Sequence, residues 1–320
     1  MAASGISRAA RVLAEKIRSE KTFPRKERTD REKNPPLHVS LRGLKSRIVK
    51  EKSDLVLINK PTGLSVHGGP DVQYSVASLL PALAQKLFGR GAEPLRLCHR
   101  LDRNTSGALI LARSEEAAHH VQELLREHKA QRVYWALCLG VPSPLEGIVD
   151  IPIIERVTPG PQKHYKMTLC PRFRASSDGA LQRMHVSHSA REAVTQYRVI
   201  GESTGASLLE LRPITGVKHQ LRVHLSLALH CPILGDHKYS HWGRLAPQKP
   251  PPSVLHALGL KLPKARSLSL HLHAAQITLP ASPGHSPIVL QCPLPHYFLN
   301  SLRDLHIPLP DLQNLAPSEE

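Results

Sequence analysis

Asp102 stands alone among cations in "LCHRLDRNTSGALILAR", residues 97–113, shortly after Arg100 and directly before Arg103. A carboxylate at the mouth of a polar loop between two apolar runs can cap a turn, neutralise a guanidinium or act on a substrate. To act as nucleophile or base it must be ionised, and a nearby cation favours that form. Arg100 and Arg103 are local, but alternation along an extended segment can turn either of them away. "PITGVKHQLRVHL", residues 213–225, offers another cation. There Arg222 lies between Leu221 and Val223 on a largely apolar helical turn, where an unpaired guanidinium is expensive. The two segments therefore predict an Asp102–Arg222 pair. On these residues alone, a plain core ion pair is the simpler account of it.

Other patterns suggest other chemistry and fail on context. "GESTG", residues 201–205, fits the spacing of a serine nucleophile elbow, and "HGG" at 67–69 resembles an oxyanion strip. The elbow needs a helix directly after the serine. Here Ala206 to Leu211 alternate like a strand, so Ser203 is expected at a hairpin tip. "HLH" at 271–273 puts two imidazoles on one strand face with no third ligand marked by spacing, so no metal is expected. No phosphate-binding loop or dinucleotide fingerprint occurs.

The elements that must position Asp102 are legible around it. "DLVLINKPTGLSVHGG" reads as a strand and a Pro-Gly turn, and "SVASLLPALAQKLFG" as a helix stopped by Gly89. "LRLCHRL" and "GALILAR" read as strands flanking the Asp102 loop. "SEEAAHHVQELLREHKA" is a helix with Ser114 as its cap and Ala117, Val121, Leu124 and Leu125 as its buried stripe. "RVYWALCLG" and "GIVDIPII" are strands, and 156–192 is a polar insertion or long loop pair. "AVTQYRVIGESTGASLLELRPI" is a hairpin, and "VKHQLRVHLSLALH" a helix with Thr215 as a possible cap. "APQKPPPSVLHALGLKLPKARSL" is a Pro-interrupted excursion, and "LHLHAAQITL" and "PIVLQC" are late strands. Hairpins mixed with a few helices predict an α+β fold.

The composition narrows the partners. The 320 residues hold 43 Lys and Arg against 26 Asp and Glu, a formal charge of +17, which points to phosphate-rich polymers. No apolar run is long enough to span a bilayer. Five scattered cysteines without a CxxC pair favour a reducing compartment over a disulfide framework. Residues 1–50 carry 14 of the cations and 5 of the acids, and Ile6, Ala10, Leu13 and Ile17 fall at helical spacing. This reads either as an organelle transit peptide or as a basic arm that touches RNA, with Glu15 and Glu20 against the former.

Taken together, "INKPTGLSVH", "HRLDRNTSG", "RVYWA", "PITGVKHQLRVH", "GDHKYS" and "LHLHA" resemble, in order and context, the RluA-type pseudouridine synthases. The resemblance spans about residues 48–300, and several further stretches look most like a vertebrate mitochondrial branch of the family. It implies a mixed, mainly antiparallel sheet with flanking helices and loops. With the sequence pattern it places a catalytic domain at 48–310, while charge and composition mark a basic N-terminal arm or targeting segment at 1–47 and a disordered tail at 311–320. The implied activity is isomerisation of uridine in rRNA or tRNA, in the mitochondrial matrix or alternatively the cytoplasm or nucleus, with no cofactor. Asp102 matches the catalytic aspartate, Arg222 the arginine paired with it, and Tyr134 the tyrosine that stacks on the uracil. Leu221 matches the aliphatic residue on the other side of the base, and His99 and Arg100 would help open the helix and support the loop. Val217 stands where the family usually has Arg, Arg132 where it has Lys, and Ser240 where it has Gly. The rival reading is an RNA-binding assembly factor with dispensable or lost catalysis, and the intact Asp102, Tyr134 and Arg222 favour the enzyme.

Overall fold

A computed structural model describes residues 42–309 except 46, 53, 70–71, 159–163, 176–180, 242, 244 and 282–285. The expected arm up to residue 41 and the tail from 310 lie outside the described residues. Leu44, upstream of the expected boundary at 48, packs in the core.

The strands begin with β1 (Ile48–Lys52) and β2 (Leu55–Lys60), followed by helix α1 (Val76–Phe88). Next come β3 (Arg96–Leu97), β4 (Ser106–Ala112), helix α2 (Glu115–Arg126), β5 (Gln131–Leu139), β6 (Glu146–Asp150), β7 (Ile153–Val157) and β8 (Tyr165–Leu169). After these lie β9 (Phe173–Ala175), β10 (Leu181–Arg183), β11 (Val194–Ser203), β12 (Ala206–Pro213) and the short helix α3 (Gln220–Val223). The chain closes with α4 (Pro252–Ala257), β13 (Leu272–Leu279), β14 (Ile288–Gln291) and α5 (His296–Asp304).

Ten of the strands form one mixed, mainly antiparallel sheet of order β1-β2-β4-β13-β5-β12-β11-β6, with β3 added to β4 and β14 to β13. The one parallel contact in it, β13 with β4, joins its two halves. Gly107 makes that contact possible: at φ +109° it lies so close to β13 that a Cβ would meet the Ala274 carbonyl oxygen at 2.2 Å. The Asp102 loop enters β4 directly before this seam.

Strand alternation decides which side chains reach the site. Along β5, Val133, Trp135 and Leu137 face one core, while Ala136 and Cys138 face another, with Tyr134 packed against the latter. Leu221 and Leu225 belong to that second core, so Tyr134 points toward the α3 segment.

Some elements differ from expectation. "LRLCHRL" pairs only at Arg96–Leu97, after which Cys98 and His99 bond singly to Ile110 and the chain leaves the ladder. "GIVDIPII" is two strands in different sheets, broken at Pro152, which has no N–H for a ladder. Part of the 156–192 insertion is ordered as the hairpins β7–β8 and β9–β10. The helix at 217–230 is a single turn, α3, that passes into a π-turn at His224–Ala228. Thr215 does not cap it: its hydroxyl donates to Gln220 Oε1 and accepts from the Val194 N–H. In α2 the fully buried positions are Ala118 and Val121, with Ala117, Leu124 and Leu125 only partly covered. Ser114 caps it as expected.

Candidate active site

A cavity of about 270 Å³ opens at the seam, near the small end of ligand clefts. Among the described residues, Asp102 is the only acid lining it, beside Arg100, Arg132, Arg191, Lys218 and Arg222. Tyr134 and Leu221 are in its wall as well. Sequence reading brought Asp102, Arg100, Tyr134, Leu221 and Arg222 to one site, and all five line this cavity. His99 does not. Its Nε2 accepts the Ile110 N–H at 3.0 Å, and burial, with Arg132 nearby, lowers its pKa to about 4. A neutral ring used as an acceptor supports the loop from behind.

The loop that carries Asp102 is tied to the Pro-Gly turn after β2. Lys60, fully buried, donates from Nζ to the carbonyls of Pro61, Leu64 and Arg103 at 3.0, 2.9 and 3.0 Å. Burial lowers its pKa to about 7 against the attraction of Asp102. Gly63 and Arg103 exchange bonds: the Gly63 N–H donates to the Arg103 carbonyl, and Arg103 Nε donates to the Gly63 carbonyl. Arg103 is thereby turned away from Asp102, whereas Arg100 faces the cavity. Thr62 completes the tie by donating to the Asn104 carbonyl at 2.8 Å.

Arg222 approaches Asp102 as expected but bonds a second aspartate more closely. Its Nε and Nη2 donate to Asp236 Oδ2 and Oδ1, both at 2.8 Å, in a buried bidentate pair. Asp102 Oδ2 lies 3.9 Å from Arg222 Nη1, close enough for attraction but outside hydrogen-bond reach. Asp236 comes from "GDHKYS", a stretch whose acid had no assigned role. Its Oδ1 also accepts the Lys238 and Tyr239 N–H groups, which places it in a tight turn at the right distance from α3.

Nor does the guanidinium hold the Asp102 carboxyl down. Burial raises its pKa above the ordinary value, with Arg222, Arg100 and Lys60 opposing and Asp236 reinforcing the rise. Burial also raises the pKa of the Tyr134 phenol, which keeps it neutral.

The α3 segment is docked by polar side chains on one face. Gln220 bonds Thr215, the Val217 N–H, the Val194 carbonyl and Thr195. His224, one turn on, reaches Thr195 and the Ile151 carbonyl. The i and i+3 residues His219 and Arg222 then face the cavity. Arg132, on β5, braces the segment from below by donating to the carbonyls of Pro213, Ile214 and Thr215 at 3.1 to 3.2 Å. Val217 also lines the cavity, where it supplies no charge. A second hollow of about 500 Å³ shares Asp102, His219 and Arg222 with the first and is rimmed by His164, Tyr165 and Lys238.

The rejected motifs are accounted for. Ser203 pairs with Ala206 across a two-residue hairpin turn whose Thr204 and Gly205 both have positive φ, so no helix follows it. His271 bonds Ser301 and the Ser269 and Leu234 carbonyls, while His273 bonds Ser106 and the Cys292 carbonyl.

Residues 54–227 match the family model described as RNA pseudouridylate synthase. The chain belongs to that family, as an RluA-type member. It is 66% identical over 317 residues to the mitochondrial pseudouridylate synthase RPUSD4 of Xenopus tropicalis, covering 99% of this chain and 98% of that one. The Homo sapiens protein of the same name is 50% identical over 275 residues, 86% of this chain and 73% of that one. The solved structure of human RNA Pseudouridylate Synthase Domain Containing 4 superposes with a TM-score of 0.77 at 47% identity, covering 86% of this chain and 98% of that structure. The pseudouridine synthase fold is thus the one described above, and the enzyme is an isomerase that modifies RNA. Among the described residues of this synthase, no helix is long and apolar enough to cross a membrane.

Proposed function

We propose that this synthase isomerises a uridine of mitochondrial rRNA or tRNA, with Asp102 as the reacting carboxylate. The observation that carries the assignment is that Asp102 is, among the described residues, the only acid on a cavity wall that also carries Arg100, Arg132, Arg191, Lys218 and Arg222. A uridine inside a helix is out of reach, so the base must first be extruded at a cost of a few kcal/mol. Tyr134 and Leu221 supply one aromatic and one aliphatic surface for the extruded base. Arg100, Arg191 and Lys218 supply charge for the flanking phosphates. Arg222, locked to Asp236, presents a fixed positive charge to Asp102 without closing on it. His99 supports the loop. The basic segment at 1–47 adds targeting and RNA contact, with the first twenty or so residues as the targeting part. Mitochondrial action rests on the relatives, which carry that location in their names.

Asp102→Asn is expected to abolish pseudouridine formation while leaving RNA affinity within a few-fold, because affinity resides in phosphate contacts. The measurement is pseudouridine content after incubating purified protein with RNA from cells that lack it. Substantial turnover by the variant would sink the assignment.

A further inference from the structure

We propose that His219 is a positioning residue for Asp102: a neutral imidazole whose proton Tyr239 confines to Nε2, directed at Asp102 Oδ2, so that Oδ1 is the oxygen presented to substrate. The proposal rests on the assignment of Asp102 as the reacting carboxylate.

The tautomer follows from the hydrogen bonds of Tyr239. Its buried hydroxyl oxygen accepts the Met167 N–H at 3.3 Å, and its own proton has His219 Nδ1 at 2.6 Å. A hydroxyl that accepts from an amide donates best to an acceptor, so Nδ1 carries the lone pair and Nε2 the proton. The other end of the ring agrees. Nε2 lies 3.8 Å from Asp102 Oδ2, where a lone pair would face a carboxylate and a proton would be attracted to it. The rings of His219 and Tyr239 meet edge to face at 5.5 Å, which holds the imidazole plane.

The ring stays neutral. Burial, with Arg222, Lys238, Lys218 and Arg100 around it, lowers its pKa to about 2. His219 therefore gives Asp102 an N–H dipole and no second full charge. Its backbone is in the left-handed region at φ 57°, a conformation sparsely used by residues with a Cβ. Gln220 stabilises it by gripping the preceding turn at Thr215 and Val217. Such over-determined strain is characteristic of functional positions.

Among the described residues, the two side-chain groups that lie within 4 Å of the Asp102 carboxylate as ion-pair partners, His219 Nε2 and Arg222 Nη1, both address Oδ2. Oδ2 remains an acceptor in the ionised, protonated and esterified carboxyl alike, so the same two donors can orient Asp102 throughout a reaction at Oδ1. At 3.8 and 3.9 Å both groups are within electrostatic reach of Oδ2.

The first test needs no substrate. In the 15N-labelled full chain at pH 7, with the His219 ring identified by its loss in His219→Gln, the single proton is expected on Nε2. A proton on Nδ1, or an imidazolium, would overturn the proposal. The second test uses total RNA from cells lacking the protein. Tyr239→Phe keeps the ring packing but frees the tautomer. It is expected to lower kcat roughly tenfold, the scale of one hydrogen bond to a charged group, with KM unchanged and the acid limb of the rate profile moved to higher pH. His219→Ala should do the same, and His219→Gln, whose amide N–H has similar reach, should recover most of the loss. Folded Tyr239→Phe with wild-type kcat and pH profile would overturn the proposal. The two assignments fail separately. An active Asp102→Asn enzyme removes the catalytic role whatever the tautomer, whereas the wrong tautomer beside an inert Asp102→Asn enzyme removes only that of His219.

Discussion

The "HRLDRN" loop and the "GDHKY" turn each bring one aspartate to Arg222, and the two carboxylates are treated oppositely. Asp236 is 1% exposed and accepts four hydrogen bonds, two from Arg222 and two from backbone N–H groups. Asp102 is 21% exposed, and its cationic neighbour stands at 3.9 Å. A saturated carboxylate is stable and inert, because its lone pairs are committed and its charge is fully compensated. One that is desolvated yet under-bonded keeps a basic, nucleophilic oxygen free. One arginine serves both by anchoring itself on the first and leaving a single Nη1 toward the second. Proximity to Arg222 does not tell the two carboxylates apart, whereas the number of hydrogen-bond donors around each, among the described residues, does.

The comparison is sharpest in stability. Asp236→Asn leaves the buried Arg222 guanidinium with only the unbonded Asp102 carboxylate, 3.9 Å away, as counter-charge and should cost up to about 3–5 kcal/mol. Asp102→Asn, which removes a poorly compensated charge, should leave the protein as stable as wild type or more so. Urea denaturation of the pair decides it, and equal losses would erase the distinction drawn here.

A smaller effect is expected at the support of the loop. Lys60→Met removes the donor to the Pro61 and Leu64 carbonyls, while the Arg103 carbonyl keeps the Gly63 N–H. Each carbonyl left buried and unpaired costs about 1–3 kcal/mol. Activity should fall more than the melting temperature suggests, because the same tie holds Asp102 over the cavity. A variant with lower stability but unchanged kcat would show that the tie is only structural.

The smallest effect is in pH dependence, and its two signs are opposed. The folded-state pKa of Asp102 is raised, so between the ordinary carboxyl value and the raised one the folded protein binds more protons than the unfolded chain. Its stability contribution therefore declines as pH rises through that window. Activity, which needs the ionised carboxylate, should rise through the same window. Asp102→Asn removes this decline, so stability should rise more steeply, or fall less steeply, with pH in that window than in wild type. A slope unchanged by the substitution would mean that another group titrates there.

Legible in the sequence were the strand after the loop, the capped helix at Glu115–Arg126, the hairpin that disqualifies Ser203, and five of the residues that line the cavity. Those features depend on local propensity, on period-two alternation and on motifs specific enough to name a family. How the lining residues bond to one another depends on packing between distant segments. The approach of Arg222 to Asp102 was legible, but its stronger partner, Asp236, was not. A guanidinium selects its carboxylate by fork geometry and donor angle, and no spacing along the chain encodes either. The same holds for the three carbonyls gathered on Lys60 and for the removal of His99 from the cavity. It holds as well for the hydroxyl of Tyr239, which meets His219 only after two loops have closed on each other. Hydrogen-bond partners drawn from separate segments exist only once packing has brought them within about 3 Å.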